Sequence, residues 1–308
     1  MRVSEVLVVG GSGFIGRHLV SALAAEAIKV TVPSRRRDRA KHLILLPTVD
    51  VIEADVCQPG MLERLVRGKH AVVNLAGVLH GDFERVHVEL PRALVAACRA
   101  QGVRRLLHVS ALGASVDGPS EYLRSKGVGE EVVLGARELD VTVFRPSVLF
   151  GPEDRFLNRF AGLARVFPVL PLACPEARFQ PVYVGDVAAA LRRALDEPDT
   201  FGKTYELCGP TRYTLRELVR YVCALTGRRR LIVGLPPRLS YLQAAVLEKL
   251  PGRLMTRDNY RSMQSANVCS GAFPFGIQPQ ALEAAAPLHL MPAGPRERYA
   301  QLRWRARR

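Results

Sequence analysis

A strand, a glycine turn and a helix open this chain in immediate succession. Val6 to Val9 is a short apolar run of the kind that makes a buried parallel strand, and it stops at glycine. Phe14, Ile15, His18, Leu19, Ala22 and Leu23 then recur at three and four residues, the spacing of one helix face. Between them Gly11, Gly13 and Gly16 give G-x-G-x-x-G, and Gly10, Gly13 and Gly16 give G-x-x-G-x-x-G. Glycine lets the backbone turn sharply and lets a pyrophosphate approach without meeting a Cβ. The helix start then turns free N–H groups and the positive end of its dipole toward the anion. The order predicts a dinucleotide site at Gly10, Gly13, Phe14, Ile15 and Gly16. The bland alternative is a tight βα turn that needs glycine for its own sake.

The rhythm continues. Residues 28–32, 49–54, 71–75, 106–110 and 141–145 read as strands, and 61–66, 83–100 and 121–138 as helices. Pro91 is expected to start or kink the main part of the second of these helices. Strands alternating with helices predict a Rossmann-type α/β fold, a doubly wound parallel sheet with right-handed crossovers. Past residue 151 the pattern loosens into a helix at 155–166, a strand at 182–185 and a helix through residue 195 that Asp186 is placed to cap. A strand at 205–208 and a helix at 214–225 follow. We read residues 1–232 as the nucleotide-binding domain, with 151–178 and 201–230 partly contributing to a substrate lobe. Residues 233–308 read as a small C-terminal lobe and basic tail. With 308 residues and 48 % hydrophobic content the chain can bury a sizeable core without staples. Six scattered cysteines form no C-x-x-C, so reduced thiols and no metal site are expected. The chain start lacks the pattern of a signal peptide, and no run of about 18 apolar residues occurs. The expectation is a cytoplasmic protein, with peripheral attachment to the inner face of a membrane as its variant.

The formal net charge of +15 points to an anionic partner: NADP(H), an acidic protein face or a lipid headgroup layer. No nucleic-acid motif is present. In dinucleotide folds the second strand usually ends in an acid that holds the ribose 2′-hydroxyl of NAD. Here no acid occurs from residue 27 to 37, and Arg35, Arg36 and Arg37 stand in its place. A carboxylate would repel a 2′-phosphate, whereas a guanidinium grips one with a fork. NADP(H) is therefore expected over NAD(H), with Arg35 or Arg36 as the grip. Asp38 would spoil this if the strand ran longer. Asp55 and Val56 would flank the adenine, and Leu75, Ala76 and Gly77 would pass near its ribose.

Glu121 to Lys126 contains Tyr122-x-x-x-Lys126, which puts both side chains on one helix face. Free tyrosine is a poor acid or base near pH 7; a lysine ammonium one turn away favours the phenolate. Such a pair moves a proton at a carbonyl or carbinol while nicotinamide moves a hydride. The alternative is a surface tyrosine and lysine. Gly127 and Gly129 cost helix propensity and suit a close approach by a neighbouring helix or cofactor.

Together, Gly10 to Gly16, Asp55, Asn74 to Gly77, Ser110, Tyr122/Lys126 and Arg145-Pro146-Ser147 with Gly151-Pro152 resemble an extended or atypical short-chain dehydrogenase/reductase. The stretches 72–79, 108–114 and 144–147 are similar to a subgroup that includes the nucleotide-binding accessory subunit of respiratory complex I and its bacterial relatives. The resemblance implies that Tyr122 and Lys126 are catalytic, that a serine polarises the substrate oxygen, and that Pro146 and Ser147 lie by the nicotinamide. It also implies tight NADP(H) binding, and a link to quinone biology for some members. One departure stands out. The family's hydroxyl residue falls near Ala111, and this chain offers Ser110 before it and Ser115 after it. Two readings follow: an NADP(H)-dependent oxidoreductase, or a non-catalytic NADP(H)-binding accessory subunit.

Residues 235–254 place Leu239, Leu242, Ala245, Val246 and Leu250 at helical spacing, which suits a lobe helix packed on the sheet or an amphipathic face on a membrane or partner. Residues 296–308 carry six arginines with Tyr299 and Trp304, a composition suited to a headgroup layer, an acidic protein or a solvated terminus.

Overall fold

The computed structural model describes residues 3–252 and 254–291. Arg253 and the arginine-rich stretch 296–308 lie outside the described residues. The first part runs β1 (Glu5–Val9), α1 (Phe14–Ala25), β2 (Lys29–Ser34), β3 (Val49–Glu53), α2 (Met61–Val66), β4 (Ala71–Asn74), α3 (Leu90–Gln101), β5 (Arg105–Val109), α4 (Glu121–Leu134) and β6 (Asp140–Pro146). Then come β7 (Leu149–Phe150), α5 (Leu157–Val166), β8 (Val169–Leu172), β9 (Arg178–Phe179), β10 (Val182–Tyr183), α6 (Val184–Leu195) and β11 (Lys203–Leu207). The rest is β12 (Tyr213–Thr214), α7 (Leu215–Leu225), β13 (Leu231–Gly234), α8 (Pro237–Leu247), α9 (Arg257–Ser262), α10 (Leu282–Ala285) and α11 (Pro287–Leu290).

The central sheet is seven-stranded and all parallel, in the order β11-β6-β5-β4-β1-β2-β3. Strand order reverses between β1 and β4. That switch point opens a crevice outside the strands' carboxyl ends, where doubly wound sheets bind ligands. β1 is apolar on both faces because helices cover both: Val6 and Val8 join the layer under α1 and α6, and Leu7 and Val9 the layer under α2 and α3. A third core lies beneath α5 and α7 and carries the smaller lobe.

Several boundaries differ from the sequence reading for physical reasons. The 83–100 helix is broken: one π-helical turn at Arg85–Glu89 precedes α3, and Pro91 sits in the first turn of α3, where its missing N–H costs nothing. Asp186 is not a cap. Tyr183 holds that position, and the Asp186 carboxylate instead accepts the Gln280 backbone N–H at 2.7 Å. Two cysteines are not free thiols: Cys208, just past β11, is disulfide-bonded to Cys269. Burial of both, 61 residues apart, is set by the lobe folding back onto the sheet edge. Among the described residues no helix is long and apolar enough to cross a membrane.

Candidate active site

The crevice is shaped by backbone approaches that only glycine permits. A Cβ on Gly16 would lie 2.4–2.5 Å from the carbonyl oxygens of Gly11 and Gly10, so α1 can start tight against the turn. Gly10 has φ +81°, and its Cβ would meet the Leu75 carbonyl carbon at 2.9 Å, so the β1 and β4 loops touch across the switch point. α1 begins at Gly13 with no side-chain cap and no acid in its first turn, so its N–H groups are left for an anion. This cradle fits a dinucleotide pyrophosphate. Phe14 lies along the same wall, 3.5 Å from the point where a Cβ on Gly151 would stand. Past β3, Asp55 accepts the Cys57 N–H at 3.1 Å and lies 3.9 Å from the Arg85 guanidinium, while Val56 leans on the α2 core.

The β4 loop is bent by its own asparagine. Asn74 Oδ1 accepts the Ala76 N–H at 3.1 Å, and Asn74 Nδ2 donates to His108 Nδ1 at 3.1 Å. That acceptor role leaves the His108 proton on Nε2, which has no partner within the buried interior. Burial pushes His108 down to about 3.

β2 ends at Ser34, and the next residues are the basic Arg35, Arg36 and Arg37. Ser34 Oγ donates to the Arg36 carbonyl at 2.9 Å and folds this loop back. Asp38 is one residue beyond the arginines and pairs with Arg36 at 2.9 Å, a contact that holds its carboxyl below the usual range. The carboxylate level with the strand end is Glu53 of β3, in register with Ser34.

On the other side of the crevice α4 presents Tyr122 and Lys126. Lys126 is buried, and its ammonium donates to the carbonyls of Val109 at 3.1 Å and Ala76 at 3.4 Å. It therefore stands at the carboxyl ends of β4 and β5. A Cβ on Gly77 would come within 3.2 Å of Lys126 Nζ, so glycine there leaves room for the ammonium. Burial lowers Lys126 to about 8, against a raising effect from Glu130 one turn on. Glu130 in turn accepts from Arg145 Nε at 2.9 and 3.0 Å and from Nη2 at 2.5 Å, which locks α4 to β6. Tyr122 is half-buried, and burial pushes its phenol up to about 12. The pair is thus a protonated phenol beside a lysine that titrates near neutrality, not a tyrosine already drawn toward phenolate.

Two neighbours of Tyr122 were not singled out by sequence reasoning. The His87 ring meets the tyrosine ring edge-on at 5.6 Å, and Phe83 does so at 6.1 Å. His87 Nε2 accepts the Val78 N–H at 3.1 Å, so its proton lies on Nδ1, 2.9 Å from Ser125 Oγ. Ser125 Oγ donates on to the Tyr122 carbonyl at 2.9 Å. Burial lowers His87 to about 3. The chain Val78–His87–Ser125–Tyr122 thus ties the β4 loop to α4. Its only sequence signal is the glycine pair after Lys126. A Cβ on Gly129 would lie 2.0 Å from the His87 carbonyl oxygen, and one on Gly127 2.4 Å from the Ser115 carbonyl carbon.

The serines are less simply placed. Ser110 is buried at the end of β5, and its hydroxyl has no hydrogen-bond partner. Ser115 is exposed, and its Oγ accepts the Asp117 N–H at 3.3 Å. Its backbone N–H donates to the Leu123 carbonyl, on the Leu123/Gly127 flank of α4. Among the described contacts neither hydroxyl meets Tyr122. Pro146 closes β6, and the Ser147 hydroxyl is taken by Asn267, donating to its Oδ1 at 2.6 Å.

A model of the "NAD dependent epimerase/dehydratase family" matches residues 6–208, which span the sheet, the glycine cradle and the tyrosine–lysine pair. The chain belongs to this family. The proteins similar to it include "NADH dehydrogenase [ubiquinone] 1 alpha subcomplex subunit 9, mitochondrial" of Rattus norvegicus, 35 % identical over 90 % of this chain and 77 % of that protein. Other respiratory subunits of this kind are covered over only 61–65 % of their length. "Ceramide reductase" of Caulobacter vibrioides is 33 % identical over 75 % of this chain and 73 % of its own. The structure of MoeE5 in complex with UDP-glucuronic acid and NAD superposes with a TM-score of 0.71 at 21 % identity, over 93 % of this chain and 96 % of that one, a likeness of fold.

Proposed function

We propose that the chain is an NADP(H)-dependent reductase of a carbonyl or quinone-type substrate, with Tyr122 as proton donor and Lys126 beside it. The observation that carries this is the placement of Lys126 Nζ on the Ala76 and Val109 carbonyls, one helical turn from Tyr122 and across the switch point from the empty-handed N-terminus of α1. The glycine turn would hold the pyrophosphate, Asp55, Val56 and Leu75 to Gly77 the adenosine end, and Pro146 and Ser147 the nicotinamide end. Bound there, the dinucleotide would supply a hydride to the substrate carbon. Tyr122, protonated at neutral pH, gives its phenolic proton to the oxygen. Lys126 offsets the phenolate charge until solvent reprotonates it. Arg35 and Arg36, with no acid at the end of β2, favour the 2′-phosphate of NADP(H).

Fluorescence titration is expected to show NADPH bound well above NADH, and R35A/R36A to erase the difference. Equal NADH binding by the parent removes this cofactor reading. NADPH oxidation is then screened against quinones, ketones and nucleotide sugars, parent against Tyr122→Phe. Turnover lost in the variant supports the proposal; no turnover with NADPH still bound overturns it.

A second reading, a nucleotide-binding accessory subunit docked on a protein complex or membrane surface, is favoured by α8. This helix turns its apolar stripe outward: Leu239, Leu242 and Val246 are 49, 58 and 53 % exposed, while Ser240 and Ala244 are buried. Val169, Leu231 and Val233 of the neighbouring ribbon are also exposed. The names of the respiratory relatives and the buried Ser110 hydroxyl point the same way.

A further inference from the structure

Asp258 stands 136 residues from Tyr122 in the chain, yet its carboxylate caps the helix that carries the tyrosine. Asp258 Oδ1 accepts the Glu121 N–H at 2.7 Å, and Oδ2 accepts the Tyr122 N–H at 3.1 Å. The next N–H, that of Leu123, goes to Ser120 Oγ at 3.1 Å. A helix leaves its first N–H groups without internal partners. Here a local serine takes one of them and a residue of the C-terminal lobe takes two. The lobe builds this contact deliberately. A reciprocal capping box between Thr256 and Asn259 starts α9 and fixes Asp258 in its first turn. Ser262, one turn on, donates to the buried Ser120 hydroxyl at 2.9 Å. α9 is fastened to α8 by the Arg257–Glu248 pair and the Tyr241–Tyr260 ring contact.

We propose that Asp258 is a positioning residue for Tyr122, through which the C-terminal lobe seats the tyrosine and sets how firmly it keeps its proton. The proposal rests on Tyr122 being the proton donor. A bare helix N-terminus carries partial positive charge and favours a nearby anion, here the phenolate. A carboxylate on the Tyr122 N–H cancels that bias and keeps the phenol protonated. The charged or titratable groups about Tyr122 are Glu121 and Lys126 on its own helix, His87 from the π-helical turn and Asp258 from α9. Lys126 favours the phenolate, His87 is neutral over the working range, and Asp258 opposes ionisation.

The full chain carrying 3-fluorotyrosine at position 122 is titrated by fluorine NMR. Asp258→Asn keeps the shape and removes the charge. The fluorophenol is expected to titrate roughly 0.2–0.7 pH unit lower than in the parent. Asp258→Glu, which restores the charge, is expected to return the titration toward the parent. In Asp258→Ala the amides of residues 121 and 122 are expected to exchange with deuterium about five- to ten-fold faster, with those of β5 unchanged. If Asp258→Asn titrates as the parent does, Asp258 is only a structural cap and the proposal is overturned. Slow amides in Asp258→Ala overturn it too. NADPH titration of the same samples keeps the two readings apart: failure of the parent to bind sinks the proposed function, while the fluorine shift still decides the role of Asp258.

Discussion

His87 and His108 are both held near pKa 3 by burial, against an ordinary value of 6.5. A histidine held neutral in the fold contributes stability that is complete above its unfolded pKa and is lost as pH falls from about 6.5 toward 3, because the unfolded chain binds the proton first. The two together are expected to remove about 2–3 kcal/mol between pH 7 and 5.5, read from urea unfolding at each pH. His87→Gln with His108→Gln should flatten that dependence. Above pH 7 neither histidine titrates, so a fall in rate near pH 8 belongs to Lys126, which burial lowers to about 8. The placement of Tyr122 and Lys126 on one face of α4 was legible because a four-residue spacing aligns two side chains on a helix. His87 was not, since a single histidine on an apolar helix is indistinguishable from any core residue until its partners are known. The one-residue offset of Ser110 from the family's hydroxyl position was legible too, and the structure buries that hydroxyl without a partner, since one peptide unit decides which side of β5 it occupies.

Helices α4 and α3, with the π-helical turn between β4 and α3, form the element that holds Tyr122 and Lys126. Gly129 lets the His87 carbonyl approach the α4 axis. Gly129→Ala gains about 1 kcal/mol of helix propensity but drives a methyl group to 2.0 Å from a backbone oxygen. Overpacking of this severity costs about 3 kcal/mol, so the clash wins. The variant is expected to unfold at lower urea, with the Tyr122 ring no longer edge-on to His87. The glycine pair was readable both as a cost to the helix and as room for a neighbouring helix; that the neighbour arrives as a π-helical turn, through the His87 carbonyl, was not, because the 83–100 pattern reads as one continuous helix. By contrast β1, the glycine turn and α1 were readable almost to the residue, since each link dictates the next.

At the scale of the molecule the parallel doubly wound sheet with a small C-terminal lobe followed from alternating strands and helices, but the contacts by which that lobe returns to the sheet did not. Cys208–Cys269, Asp258 and Asn267 act across 61 to 137 residues of chain, and no local pattern announces contacts of that span. The double variant C208S/C269S is expected to lose about 2–4 kcal/mol of stability under oxidising conditions, measured by urea unfolding, and to show no response to a phosphine reductant. An unchanged midpoint would mean that the pair does not hold the oxidised fold.

The match to the family model ends at residue 208, one half of this disulfide. Whoever trims the gene at that natural-looking seam keeps a cysteine without its mate, a Ser147 hydroxyl without its acceptor and helix α4 with two bare amides at its head. The smallest piece worth expressing therefore reaches at least to residue 270, and the family model's boundary alone would have set the cut some sixty residues too early.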